Sequence, residues 1–282
     1  MKILITGGTG FIGKHLIDSA LRENHKVTLL SRKPIEANSK YMNKVDNIVL
    51  DMKDIGDLSL SHFDVIINLA ATGLSPRIAK WIDLLEINVN SALKLCKKAK
   101  EIGARFIQIG SFCEYGTSAY NYQLIPVNAP LQPTFPYAVS KAASYHLTRG
   151  FALSENLEFA YLRLFNVYGE GQYEQNIWPA LKKSALNNKD FKLTPGAHIR
   201  DFIPVSEVVR IILKISMLPS SYFMKPLILN IGSGEPKTIL EFCEFWWKYW
   251  EASGNLLPGS ISYRNNEVMR YVPYIEKHLL YG

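Results

Sequence analysis

Short apolar runs alternate with longer segments whose apolar residues recur every three or four positions through about the first 165 residues. The apolar runs predict strands, because branched and aromatic residues in such runs favour extended backbone. Strands are predicted at 3–5, 27–30, 48–50, 65–69, 106–109 and 159–164. Strands that alternate with helices predict a parallel sheet with helices on its faces.

Helical periodicity fills the intervals and continues beyond the last of these strands. In segment 81–102 the pattern places Ile82, Leu85, Val89, Leu93 and Cys96 on one stripe. Further helices are predicted at 137–155, 177–187, 206–217 and 238–251, and residues 119–136, rich in Pro, Asn and Gln, are predicted as a loop. The predicted fold class is therefore α/β, a Rossmann-type doubly wound parallel sheet with a smaller C-terminal substrate-binding lobe.

The predicted domain division falls near residue 168. Residues 1–168 would form an NAD(P)-binding domain, and residues 169–282 would form mainly the substrate-binding lobe. Segments at about 200–235 are expected to return to the main domain, with 228–231 as a strand that rejoins the sheet.

Composition narrows the class of protein. The chain has 282 residues, 48% hydrophobic and 20% charged, with a net charge of +7. We expect no secretory signal, no membrane span and no metal site, since no apolar segment is long enough and the cysteines and histidines are scattered. Three cysteines, an odd number, indicate a reducing compartment, so a cytoplasmic location is expected. No nucleic-acid-binding module is recognisable, and the basic residues at 94–100 are interpreted as a solvated helix face.

A glycine-rich turn follows the first predicted strand and opens the first helix. Its glycines, Gly7, Gly10 and Gly13, have the context of a dinucleotide fingerprint, in which backbone N–H groups and a helix N-terminus meet a pyrophosphate. The residues between them that would share this contact are Thr9, Phe11 and Ile12.

The end of the second strand is expected to select the cofactor. An acidic residue there would bind the ribose 2′-hydroxyl of NAD, whereas this chain has Ser31 followed by Arg32. A guanidinium pairs with a 2′-phosphate, so NADP(H) is predicted and NAD(H) is the alternative, with Arg32 then a plain surface charge. Asp51, after the third strand, is placed to meet the adenine edge, with Met52 packed nearby.

A tyrosine and a lysine one helical turn apart are the candidate catalytic pair. Tyr137 and Lys141 begin a predicted helix, and Ser111 ends the fifth strand at the same edge of the sheet. A nearby ammonium favours the phenolate, so Tyr137 is expected to exchange a proton with a carbonyl oxygen to which Ser111 hydrogen-bonds. The bare Tyr/Lys spacing is common, and the serine and the glycine turn make this interpretation the stronger one.

With these residues in place, the chain resembles the nucleotide-sugar epimerase/dehydratase family of extended short-chain dehydrogenases/reductases. The resemblance extends from residue 1 to about residue 235. The matching segments are GGTGFIG at 7–13, Asp51, NLAA at 68–71, INVNSALKL at 87–95, GSFCEYG at 110–116, YAVSK at 137–141, RLFNVYG at 163–169, RDFIPVSEV at 200–208 and NIGSG at 230–234.

The resemblance implies roles for the matching positions. Ser111, Tyr137 and Lys141 would be catalytic, and Tyr137 and Lys141 would also contact the cofactor. The other cofactor contacts implied are Leu69, Ala70, Ala71, Asn88, Phe165 and Val167. The substrate contacts implied are Ser111, Cys113, Asn166, Asn176 and Arg200. Arg264 or Arg270 would supply a second phosphate contact.

Departures from the family pattern bear on the reaction. Dehydratases of the family resemble T-D-E-x-Y-G where this chain has SFCEYG at 111–116, so Phe112 and Cys113 replace the dehydratase acid and base. Decarboxylases carry a Glu at the position of Cys113. Glu114 occupies a position that is usually apolar. In related epimerase/reductases a Cys at the position of Cys113 works with a His, and in this chain Asn176 occupies the position of that His. Cys113 is therefore interpreted as lining the pocket, with acid–base work as the alternative.

Simple redox chemistry at a sugar carbon remains. The chain resembles most the CDP-linked 3,6-dideoxyhexose synthases and dTDP-6-deoxyhexose reductases, which implies NADPH-dependent reduction of a 4-keto nucleotide sugar in deoxysugar and O-antigen polysaccharide biosynthesis. The alternatives are an NAD-dependent nucleotide-sugar 4-epimerase and a non-catalytic NADP-binding regulator, which would usually lose Tyr137 or Lys141.

Two surfaces complete the predictions. Residues 242–250 are dense in aromatic side chains and are interpreted as packing within the small lobe, with a membrane-surface helix as the alternative. The resemblance implies a homodimer formed by segments 81–102 and 137–155.

Overall fold

A seven-stranded, all-parallel sheet forms the centre of the fold in the computed structural model, which describes residues 1–60, 62–74, 78–263 and 267–281. Its strands in chain order are β1 (Lys2–Thr6), β2 (Lys26–Ser31), β3 (Asp46–Val49), β4 (Val65–Asn68), β5 (Arg105–Ser111), β6 (Phe159–Leu164) and, after three short strands outside this sheet, β10 (Leu227–Ile231). Their order across the sheet is β10-β6-β5-β4-β1-β2-β3. The predicted Rossmann-type class is confirmed, and β10 lies beside β6, as expected for 228–231.

Two apolar layers cover the sheet because successive residues of a strand point to opposite faces. Ile3 and Ile5 pack with α1 (Phe11–Arg22) and α6 (Val205–Ser216), whereas Leu4 packs on the other face with α3 (Ser91–Glu101). Strands β4, β5 and β6 are buried along their whole lengths. Such continuous burial is typical of a parallel sheet between helices.

The remaining helices agree with the predicted ones to within two residues at each end. They are α4 (Pro136–Ser154), α5 (Ile177–Leu186) and α7 (Ile239–Tyr249). Short 3₁₀ helices occupy Met52–Asp57, Phe112–Tyr115, Thr117–Asn121 and Ser220–Phe223, and a four-residue helix, α8, spans Lys277–Leu280.

The predicted helix 81–102 is present but not uniform. It consists of α2 (Trp81–Leu84), a π-helical segment (Leu85–Asn90) and then α3. The wider π turn shifts the phase of the side chains along the helix. Ile82 and Leu85 are exposed, and Asn88 is buried beside Val89.

Small sheets outside the central one carry strands that the sequence did not reveal. β9 (Ile199–Pro204) pairs with β7 (Asn166–Tyr168), β11 (Pro236–Thr238) and β13 (Arg270–Tyr271), and β8 (Phe191–Leu193) pairs with β12 (Leu256–Pro258). Each of them except β9 is two or three residues long, which is too short for a periodic signal.

The aromatic segment 242–250 packs against α5 and β9. Phe242 stacks on Phe202 with ring centroids 3.8 Å apart, and Trp246 lies edge-on to Trp178. Phe245 and Tyr249 are exposed. Among the helices of the described residues, none is long and apolar enough to cross a membrane.

Candidate active site

The glycine turn after β1 packs directly against the residues that follow β4. Gly7 has a φ of 68°, and a Cβ at this position would lie 2.7 Å from the backbone nitrogen of Ala70. A Cβ at Gly13 would overlap the carbonyl oxygen of Gly7. Both positions therefore require glycine, and the backbone forms a tight cradle at the point where the strand order reverses, which is where such sheets bind ligands.

The N-terminus of α1 faces this cradle without a side chain that caps it. Gly10 is the N-cap residue and makes no side-chain capping bond, and the amides of Phe11, Ile12 and Gly13 form the first turn. Exposed Thr9 and Gly10 lead into it. The first-turn N–H groups of a helix lack intrahelical partners and carry partial positive charge, so these residues fit the pyrophosphate of a dinucleotide.

The end of β2 presents no carboxylate to the cradle. The Ser31 hydroxyl donates to the Lys33 carbonyl (2.7 Å) and accepts from the Asn47 amide (3.0 Å), and Arg32 is exposed. Asp51 caps the 3₁₀ helix that follows β3, because its carboxylate accepts the Lys53 N–H at 3.0 Å. A bound 2′-phosphate would meet a cation here rather than a negative charge.

A chain of polar side chains runs across the strand ends beneath the cradle. The Thr6 hydroxyl donates to Asn68 (2.5 Å), and the Asn68 amide donates to Gln108 (2.7 Å). Asn68 also accepts the Ala70 N–H at 3.2 Å. The segment Leu69–Ala71 is thereby fixed beside Gly7, where the resemblance places cofactor contacts.

Asn88 joins the loop after β4 to the helix that carries the candidate catalytic pair. Its side chain accepts the Thr72 N–H (2.8 Å), donates to the Thr72 carbonyl (3.0 Å) and donates to the Ser140 hydroxyl (2.8 Å). Ser140 in turn donates to the Tyr137 carbonyl (2.8 Å). The predicted supporting position of Asn88 therefore has a structural basis in the π-helical segment.

Ser111, Tyr137 and Lys141 come together at the carboxyl end of β5. Ser111 ends the strand, and its hydroxyl lies close enough to the Tyr137 phenol to lower the pKa of that phenol. Lys141, which is 3% exposed, donates from Nζ to the Ile109 carbonyl. The structure thus brings Ser111 and Tyr137 close to each other at the end of β5 and holds Lys141 against the same strand at Ile109.

The electrostatics of this trio differ from the expectation that a nearby ammonium would favour the phenolate. Burial raises the pKa of Tyr137, Cys113 and Glu114 raise it further, and only the hydrogen bond with Ser111 lowers it. Burial lowers the pKa of Lys141 to about 8, although Glu114 raises it. In this arrangement Tyr137 is a neutral phenol and therefore a proton donor at neutral pH.

The thiol of Cys113 lies in the same space, half-buried beside Ser111 and Arg200. Burial raises its pKa to about 11; the hydrogen bond with Ser111 lowers it, Glu114 raises it and Arg200 lowers it. A neutral thiol lines a pocket and is a poor base. Its surroundings therefore favour the pocket-lining interpretation of Cys113.

Several predicted site residues are held by protein groups. Arg200 donates to the carbonyls of Ile199 (2.9 Å), Val268 (2.9 Å) and Met269 (3.0 Å), while Arg270 donates to that of Gln123 (2.9 Å). Arg264 lies outside the described residues.

The predicted substrate and cofactor side chains on the far side of the site differ in accessibility. Asn166 donates to the Asp201 carbonyl (3.1 Å), and Asn176 is half-buried at the N-cap of α5 without a capping bond. Val167 is half-buried as well. Met52 is buried in the core next to Asp51, and the Phe165 ring is buried against Phe112.

One feature beneath the site was not found by sequence reasoning. Glu114 and Arg163 form a fully buried ion pair (2.7 Å) next to Ser111. The only available signal was a charged residue at a position that the family usually keeps apolar. Among the residues that the structure describes, no group of three or more acidic, Cys or His side chains is arranged to hold a metal ion.

Comparison with known proteins agrees with this fold. Residues 3–232 match the model of the NAD dependent epimerase/dehydratase family. A CDP-abequose synthase from Salmonella typhimurium is 28% identical over 287 residues, covering 95% of this chain and 87% of that protein. A putative UDP-glucose 4-epimerase from Methanocaldococcus jannaschii is 26% identical over 250 residues, covering 85% and 79%.

A solved structure has the same architecture along nearly the whole chain. The UDP-glucuronic acid 4-epimerase from Bacillus cereus, in complex with UDP-glucuronic acid and NAD, superposes with a TM-score of 0.84 and 25% identity, covering 99% of this chain and 93% of that one. The chain belongs to the NAD dependent epimerase/dehydratase family, whose members act on nucleotide sugars, and it is an enzyme of that family.

Proposed function

We propose that this enzyme reduces the 4-keto group of a nucleotide-linked 6-deoxy or 3,6-dideoxy hexose with NADPH. The observation that carries the proposal is the cluster of Ser111, neutral Tyr137 and buried Lys141 at the carboxyl end of β5, next to the glycine cradle. The similarity to two CDP-abequose synthases, each covering 95% of this chain, supports a deoxysugar nucleotide as the substrate.

The residues present account for the protein's share of the reaction. A bound nicotinamide would supply the hydride to the carbonyl carbon. Ser111 and Tyr137 would hydrogen-bond to the carbonyl oxygen, and Tyr137 would donate its proton to that oxygen as negative charge develops. Lys141 would place a positive charge near the resulting phenolate, which would then recover a proton from solvent. No carboxylate stands at 112 or 113 to remove a proton from the sugar ring.

NADPH as the donor is supported by the end of β2, where Ser31 and exposed Arg32 replace an acidic residue. A homodimer is supported by exposed apolar side chains on the two helices expected to form its interface. These are Trp81, Ile82, Leu85, Leu147 and Leu153. A cytoplasmic location is part of the same proposal.

The test is cofactor oxidation by purified protein with CDP-, dTDP-, GDP- and UDP-linked 4-keto-6-deoxyhexoses, with NADPH and NADH in parallel. We expect stoichiometric NADPH loss with one sugar. The Tyr137→Phe variant should lose about 10²–10⁴-fold in kcat, because it lacks the proton donor, while it retains cofactor binding.

Arg32→Ala is the matched variant for cofactor choice, since it lies away from the proton donor. It should raise the KM for NADPH and leave that for NADH nearly unchanged. Conversion of a plain UDP-hexose to its C4 epimer without added cofactor, with no net oxidation of NADPH by any ketosugar, would replace the reductase by an NAD-dependent 4-epimerase.

A further inference from the structure

A buried ion pair lies directly beneath the candidate catalytic residues. The Glu114 carboxylate accepts from Arg163 Nε at 2.7 Å, and both side chains are within 1% of complete burial. Arg163 lies on β6, with its guanidinium 4.2 Å from the ring centroid of Tyr145. It also donates to the Val127 carbonyl at 3.2 Å. Burying two charges is costly, so a pair in this place calls for an explanation.

The second carboxylate oxygen of Glu114 connects the pair to the site. It accepts the backbone N–H of Ser111 at 2.7 Å and the hydroxyl of Tyr161 at 2.7 Å. The same Tyr161 hydroxyl lies 3.1 Å from the carbonyl oxygen of Lys141. One carboxylate thus holds the end of β5 and, through Tyr161, the turn of α4 that carries Lys141.

We propose that Glu114, held by Arg163, is a positioning residue that fixes Ser111 against α4 and supplies the buried negative charge facing Lys141 and Cys113. The effect of Glu114 on catalysis rests on the proposed function, but its effect on the thiol pKa of Cys113 does not. The shifts at the neighbouring groups agree, since Glu114 raises the pKa of Lys141, of Cys113 and of Tyr137.

The charge of Glu114 is testable without any enzymatic assay, because Cys113 is a built-in reporter. Cys113 is half-buried and keeps some exposure to solvent, whereas Cys96 and Cys243 are fully buried. The groups that act on its thiol are Ser111, Glu114 and Arg200, and its charge in turn affects Tyr137 and Tyr271. The rate of iodoacetamide alkylation of the Cys113 peptide, followed by mass spectrometry across pH, measures its thiol pKa.

The variant is Glu114→Gln, which keeps an oxygen for the Ser111 N–H but removes the charge. We expect the alkylation profile of Cys113 to move to lower pH by about one unit, as the loss of a nearby like charge predicts. In the enzyme assay, the decline of kcat at high pH should also begin at a lower pH, because Lys141 loses the negative group that raises its pKa. Replacing Arg163 as well, in Glu114→Gln/Arg163→Gln, removes both charges and keeps the test open if the single variant does not fold.

The same two strands offer a matched control at their opposite ends. Arg105, at the start of β5, donates to Glu158, which precedes β6, at 2.7 Å and 3.0 Å. Glu158→Gln breaks a second Arg–Glu pair far from the site. We expect it to lower the midpoint of unfolding and to leave both pH profiles unchanged.

Folded Glu114→Gln or double-variant protein with the alkylation profile of the wild type would overturn the proposal and leave the pair a purely structural feature. A shifted Cys113 profile in a protein that reduces and epimerises none of the sugars would retain the electrostatic role of Glu114 and remove the proposed function instead.

Discussion

Among single residues, Lys141 has the most direct consequence for stability. Its pKa is lowered to about 8 by burial, against a value of 10.5 for a free lysine, with Glu114 acting in the opposite direction. A lysine with a lowered folded-state pKa costs stability below that pKa, because the unfolded chain binds the proton more tightly. The cost shrinks as the pH rises from about 8 toward the ordinary lysine value.

The residue-scale prediction is that Lys141→Met makes the protein more stable and inactive. At pH 7 the free energy of unfolding should rise by about 2 kcal/mol. Removal of the buried charge raises it, and loss of the hydrogen bond to the Ile109 carbonyl offsets part of that gain. Urea denaturation at pH 7 and pH 10 measures the effect, which should be smaller at pH 10. A variant that is less stable than the wild type at pH 7 would contradict the sign.

Side-chain chemistry at this scale was only partly predictable from the sequence. The spacing of Tyr137 and Lys141 and the position of Ser111 were sufficient to place the three together. The direction of the Tyr137 shift was not predictable, because it depends on burial and on Glu114, which comes from a different segment. The pairing of Glu114 with Arg163 joins the 3₁₀ helix after β5 to strand β6, and no local pattern encodes it.

At the scale of elements, the π-helical segment Leu85–Asn90 is the part of the fold that most affects the site. A regular α-helix through 81–102 was predicted because apolar periodicity assumes a constant number of residues per turn. The wider turn directs Asn88 inward, where it satisfies the backbone of Thr72 and the Ser140 hydroxyl. π turns are frequent at functional sites, and their extra residue is not visible in a periodicity.

The element-scale prediction compares two asparagines of this segment. Asn88→Ala leaves the half-buried Thr72 N–H and carbonyl and the buried Ser140 hydroxyl without their partner, so the free energy of unfolding should fall by about 1–3 kcal/mol. Because the loop after β4 lines the cradle, the Kd for the cofactor should rise as well.

The control is Asn90→Ala, which removes only the side-chain hydrogen bond from Asn90 to Glu86 (3.0 Å), one turn earlier in the same segment. It should change stability by less than about 0.5 kcal/mol. Urea denaturation and cofactor fluorescence titration measure the two quantities. Equal losses in both variants would show that Asn88 has no special structural role.

For the whole molecule, the order of the strands follows from rules that operate on the sequence. Strands alternating with helices enforce right-handed crossovers and a parallel sheet, and the glycine turn after β1 marks where the order reverses. The small sheets around β9 depend on pairing between segments far apart in the chain, such as Tyr271 with Arg200, so they were not predictable. The exposure of apolar side chains on α2 and α4 also became visible only in the structure.

The last prediction concerns that surface. Trp81 and Ile82 are 60% and 66% exposed on α2, and Leu147 and Leu153 are exposed on α4, which packs along the π-helical segment. Apolar side chains grouped in this way support the proposed homodimer, which would bury them. We expect the wild-type protein to sediment as a dimer in analytical ultracentrifugation and Trp81→Glu to sediment as a monomer. Phe245→Glu, a charge placed on an equally exposed aromatic residue of α7 at 59% exposure, should leave it a dimer. A wild-type protein that sediments as a monomer at micromolar concentration would contradict the proposed dimer. A Phe245→Glu variant that dissociates while Trp81→Glu does not would place the interface elsewhere.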